Sequence, residues 1–158
     1  MYRLSAVART ALATIVLLPA RTAQGQGVVV RPLQNLSFGV LLPGVATSVD
    51  PAQLSQSAQI ELRAIRGNLL EVRFTLPTTM SGAGTTLPVT FSSTSAGAAP
   101  TSSPQSMSRF DPNYAARFTF LTTSRATFFL GGRALPRSNQ PPGSYTATVV
   151  MTITNLGL

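Results

Sequence analysis

Four carboxylates, Asp50, Glu61, Glu71 and Asp111, and twelve arginines are the whole ionisable inventory of side chains other than tyrosine in these 158 residues, which include no histidine and no cysteine. Histidine is the commonest general base, and a low-pKa thiolate or a hydroxyl beside a base the commonest nucleophile. The chain holds neither agent. Glu61 and Glu71 are the one carboxylate pair that could flank a glycosidic bond. Each alternates with arginine, Glu61 with Arg63 and Glu71 with Arg73, which is the pattern of a surface ion pair. Asp111, in Asp111-Pro112-Asn113, reads as a turn former, because a calcium site needs several acids close together. These residues predict a non-catalytic protein with no catalytic, cofactor-binding or metal-binding residue, and no cofactor.

Every basic residue is arginine, and the formal net charge is +8. The arginines are scattered among threonines and aliphatics instead of clustering with exposed aromatics, so nucleic acid is not an expected partner. Arg3 and Arg9 precede a short apolar run, Ala11 to Leu18, and Ala23-Gln24-Gly25 supplies small residues for cleavage. This is the form of an export leader over residues 1–25. The run is too short to span a membrane. The expected mature domain, residues 26–158, loses Arg3, Arg9 and Arg21, and its net charge falls to about +5. Its expected location is the periplasm, the cell surface or the extracellular space, and it is not membrane-spanning.

An exported chain without cysteine cannot use disulfides, so one ordinary hydrophobic core must hold it together. The elements able to build that core are strands. From Gly143 to Thr154 residues alternate at a period of two, with Tyr145, Ala147, Val149, Met151 and Ile153 on one face and threonines on the other. Val28 to Leu33 is a short extended apolar segment, and Leu36, Phe38 and Val40 alternate after it. Ile60, Leu62 and Ala64 alternate with Gln59, Glu61 and Arg63. Leu70, Val72, Phe74 and Leu76 alternate with Glu71, Arg73 and Thr75. The turn at Arg66-Gly67-Asn68 predicts that these two runs form a hairpin, with Asn68 left-handed and with Arg63 opposite Glu71 and Glu61 opposite Arg73. Further strands are expected over Leu87 to Phe91, Phe118 to Leu121 and Ala126 to Leu135, the last interrupted at Gly131-Gly132 by a bulge or a close backbone approach. Residues 41–57 read as a loop with a turn at Asp50-Pro51, and residues 92–109 as a long Ser/Thr/Pro-rich surface loop. Seven or eight short strands with almost no helical pattern predict an all-β, Ig-like or pilin-like antiparallel sandwich.

Leu36-Ser37-Phe38-Gly39, Ala58-Gln59-Ile60-Glu61-Leu62 with Phe74-Thr75-Leu76-Pro77, Phe129-Leu130-Gly131-Gly132-Arg133-Ala134-Leu135 and Gln140-Pro141-Pro142-Gly143-Ser144-Tyr145 together resemble a bacterial family of exported domains of unknown function. That family is similar to spore-coat-U and fimbrial pilin-like subunits. The resemblance implies a place in surface fibres or coats, self-association or contact with other surface subunits, and handling by a periplasmic chaperone and an outer-membrane usher. The chain departs from those relatives in lacking cysteine and in ending Asn155-Leu156-Gly157-Leu158. The expected contact is β-strand addition. Val28, Val29, Val30 and Leu33 form the candidate donor segment, and Tyr145, Val149, Met151 and Ile153 the closing strand. The alternative is a monomeric cell-surface module that binds a glycan or another surface polymer, with Tyr114 as its best exposed aromatic.

Overall fold

The structure, a computed structural model, describes residues 11–19, 27–119 and 124–157. In chain order the strands are β1 (Ala11–Pro19), β2 (Val29–Gln34), β3 (Leu36–Leu41), β4 (Thr47–Val49), β5 (Ala58–Arg63), β6 (Leu69–Thr75) and β7 (Thr79–Gly82). They continue with β8 (Thr85–Thr90), β9 (Ala96–Ala99), β10 (Ser108–Phe110), β11 (Ala116–Thr119), β12 (Arg125–Leu130), β13 (Gly132–Ala134) and β14 (Gly143–Asn155). The fold is an all-β sandwich. One sheet runs β10-β9-β12-β5-β2; the other runs β11-β6-β14-β7-β8-β13-β4, with β1 paired to both β14 and β3. Among the described residues no helix is long and apolar enough to cross a membrane.

The expected alternation of the closing strand holds. Tyr145, Val149, Met151 and Ile153 of β14 are buried, Ala147 is half-buried, and Thr146, Thr148, Thr152 and Thr154 face out. Ile60, Leu62, Leu70, Val72 and Phe74 are likewise buried. Between the sheets Phe118 meets Phe128 edge-on at 5.0 Å and Phe110 at 5.2 Å. Such aromatic contacts add roughly 0.5–1.5 kcal/mol each beyond the area they bury.

The hairpin does not form. β5 pairs with β12 and β2, whereas β6 pairs with β14 and β11 in the opposite sheet, so residues 64–68 cross the sandwich. Alternation specifies which face a residue presents, and two strands facing one core from opposite sheets show the same alternation as a hairpin. The ion pairs follow the real neighbours. Glu61 receives Arg63 at 2.8 Å and Arg125 at 3.2 Å, and Glu71 receives Arg117 at 3.2 Å. Gly67, at φ 90°, is the left-handed residue of the turn, in place of Asn68.

Other strands are too short to show a period. The expected loop 41–57 contains β4, and the expected loop 92–109 contains β9, one turn of 3-10 helix (Pro104–Ser106) and the start of β10. In Ala96-Gly97-Ala98-Ala99 the glycine has a packing reason, because the Met107 side chain lies where a Cβ on Gly97 would stand. Val40 is exposed, contrary to its alternation with Phe38, because the register shifts at this point and Gly39 takes φ 66°, which puts Leu41 inward instead. The interruption at Gly131-Gly132 is real: β12 belongs to one sheet and β13 to the other.

Candidate functional site

The structure brings no two carboxylates together. Glu61 and Glu71 lie in opposite sheets, each with its own arginine, so they do not flank a common substrate. Asp111 Oδ1 accepts from the Asn113 backbone N–H at 2.9 Å, as a turn former does. Asp50 Oδ1 accepts from the Ala52 N–H at 2.8 Å, and both its oxygens accept from Arg109 Nη2 at 2.8 and 3.1 Å. The Arg109 hydrogen bond is the main reason that the Asp50 carboxyl is held below its ordinary value; burial opposes it, and the Ala52 N–H and the charge of Arg109 add to the lowering.

The feature that stands out lies along the closing strand. On one edge β14 pairs with β6 and, at Thr146, with β7; on its other edge it pairs in parallel with β1, from Ala11 opposite Gly143 to Pro19 opposite Met151. β1 pairs in turn with β3, antiparallel, from Ala11 opposite Leu41 to Ile15 opposite Leu36. β3 and β14 do not pair with each other, and β1 fills the space between them. Strands lie roughly 4.8 Å apart, so the strip that β1 occupies is about 10 Å wide between its neighbours. Register sets Ala13 beside Tyr145, Ile15 beside Ala147 and Leu17 beside Val149. Tyr145, Val149, Leu36 and Leu41 beside that strip are all fully buried.

This strand is part of the run that the sequence marks as a leader. The charged residues before it and the cleavage sequence Ala23-Gln24-Gly25 lie outside the described residues. A short continuous apolar run looks the same in an export leader and in a central strand, so periodicity could not have identified β1.

Val28, Val29, Val30 and Leu33 have an intrachain place. β2 is the edge strand of the smaller sheet, paired with β5 from Val29 opposite Arg63 to Gln34 opposite Gln59, with a register shift after Pro32. Val28 and Val30 pack partly against the core, while Val29 and Leu33 are exposed. Proline has no N–H to donate and suits such an edge. Tyr114 is exposed, on a turn whose Asn113 Nδ2 donates to the Phe91 carbonyl at 3.2 Å.

No family model matches the chain, and no curated protein matches it, so the likeness to exported pilin-like domains rests on its motifs alone.

Proposed function

We propose that the chain is an exported, non-catalytic structural subunit of a fimbria-like or surface-coat assembly, which receives a partner's β-strand between β3 and β14. One observation carries this reading: the strand that completes the larger sheet coincides with the apolar run of a leader. Removing residues 1–25 takes β1 away, which leaves β14 with an unpaired edge and β3 without a strand partner, beside side chains that are fully buried while β1 is in place. Open apolar edges are what natural proteins cover, and a donated strand covers both at once.

The donor is a strand from another subunit or from a chaperone. Cleavage after Gly25 leaves only Gln26 and Gly27 ahead of Val28, so an amino-terminal donor from a second copy of the chain would have to be β2 itself. β2 could donate only by leaving β5, and Pro32 would then sit in a strand needing hydrogen bonds on both edges.

Amino-terminal sequencing of protein recovered from the cell envelope, together with its size in solution, tests the reading. The expected terminus lies near Gln26, in a chain that is self-associated or bound to a strand donor. An intact Met1 on a monomer would overturn it, because β1 would then be a permanent strand of a closed domain.

A further inference from the structure

A second concave surface is lined by none of the residues of β1, β3 or β14. It is a cleft of about 520 Å³ among β4, the end of β8, β13 and the turns at residues 50–53 and 92–95. Its volume falls within the range of small-molecule sites. We propose that this cleft binds a carboxylate-bearing sugar of an acidic polysaccharide, through Arg133.

A glycine lets a ring approach the backbone at the floor. A Cβ on Gly132 would come within 3.0 Å of Phe91 Cε1, so the half-buried Phe91 ring lies directly against this backbone. Each wall is braced internally. In the first turn the Asp50 N–H donates to Gln53 Oε1 at 2.6 Å, and in the second the Ser92 N–H donates to Ser95 Oγ at 2.9 Å. Arg109 then ties one wall to the other, its Nη2 on the Asp50 carboxylate and its Nη1 donating to the Thr94 carbonyl at 3.1 Å. A cleft held in this way exists before its ligand arrives, which lowers the ordering cost of binding.

Charge selects the ligand. Arg109 and Asp50 neutralise each other, whereas Arg133, also on the cleft, is exposed and its side chain makes no ion pair or hydrogen bond with the described residues. Strand register places Thr90 and Ser48 on either side of it, both exposed, giving a row of hydroxyl, guanidinium and hydroxyl across three strands. A guanidinium matches one carboxylate with two parallel hydrogen bonds, and the flanking hydroxyls can donate to or accept from ring hydroxyls. A single uncompensated cation among serines and threonines suits a singly charged, hydroxyl-rich ring. It does not suit a phosphate chain, which calls for several cations in a row.

The test is calorimetric titration of the purified chain with hexagalacturonate, and with maltohexaose as the neutral sugar of equal length. The expected result is hexagalacturonate binding that weakens with added salt, and maltohexaose binding weaker by about tenfold or more. Arg133→Gln should lose about tenfold in affinity, the usual scale for a charge-assisted hydrogen-bond pair. Arg73→Gln, an exposed arginine on β6, should change it less than about twofold if the site is local. No hexagalacturonate binding, an unchanged affinity in Arg133→Gln, or equal losses in both variants would overturn the proposal. The readout does not depend on oligomeric state, so a chain that never assembles could still bind the sugar, and one that assembles could fail to.

Discussion

Arg109 holds both carboxylate oxygens of Asp50, at 2.8 and 3.1 Å, from a strand 59 residues further along the chain. The bond joins the turn at Asp50 to β10, which no ladder hydrogen bonds connect, and it depends on an ionised carboxylate. Because the folded Asp50 carboxyl is lowered from its value of 3.8, chiefly by Arg109, its contribution is fully present above that value and is lost as pH falls through the lower folded one. Both side chains are more than a third exposed, so the contribution is at most about 1 kcal/mol. Arg109→Gln should therefore lower stability in urea more at pH 7 than at acid pH, where the Asp50 bond weakens and only the bond from Arg109 to the Thr94 carbonyl remains to be lost. An equal deficit at neutral and acid pH would show that Arg109 does not act through the charge of Asp50.

Gly131 separates the two sheets at the point where the chain passes from β12 to β13, and a Cβ there would run into the Val49 carbonyl and Pro51. Backbone cannot swing aside as a side-chain tip can. Gly131→Ala should cost about 3 kcal/mol, at the upper end of overpacking effects. Gly84 offers the contrast: nothing lies within 4 Å of its would-be Cβ, but its φ is 69°. Gly84→Ala should cost only about 1 kcal/mol, from the left-handed backbone alone. Chemical denaturation of the two variants checks the order, and a milder effect at Gly131 would contradict the contact.

Glu61 is the one buried carboxylate among the described residues, and Arg63 and Arg125 reach it from the solvent side. Glu61→Gln keeps the shape and removes the charge, and should cost about 2 kcal/mol, the scale for hydrogen bonds to a charged group. Arg125→Gln should cost less, because Arg63 remains. A double variant should then show less than the sum of the two single effects. Strict additivity would mean that the pair does not act as a unit.

How far the molecule was legible depends on element length. β14 has thirteen residues and no competing signal, so Tyr145, Val149, Met151 and Ile153 were correctly assigned inward from alternation alone. The apolar faces of β5 and β6 were also legible, but Glu61, read as one half of a surface ion pair, is buried, and the strands' partners were not legible, because a two-residue period does not say which sheet a strand joins. Strands of three or four residues, such as β4, β9 and β13, cannot display a period, and β9 substitutes alanine and glycine for bulk where Met107 packs down on it. Asp50 was legible as a turn residue, but its bond to Arg109 was not. The row of Ser48, Arg133 and Thr90 comes from three separate strands, and only their register brings it together.

The last prediction concerns the strip between β3 and β14. If it is an acceptor in the processed chain, then a free peptide with the sequence of residues 11–19, carrying terminal lysines for solubility, should bind the domain of residues 26–158. The expected pose is parallel to β14, because Ala11 stands opposite Gly143 and Pro19 opposite Met151. In that register small residues lie at the positions beside Gly143 and Tyr145, and larger aliphatics beside Ala147 and Val149. The peptide would cover two open edges at once, so it should raise the melting temperature, by several degrees at saturating concentration. It should also block self-association of the domain. A peptide with Ile15 and Leu17 replaced by aspartate should do neither, since register sets those positions opposite Ala147 and Val149, on the inward face of β14. Should the domain of residues 26–158 prove stable, monomeric and indifferent to both peptides, β3 and β14 must close on each other without β1, and strand addition at this edge would be excluded.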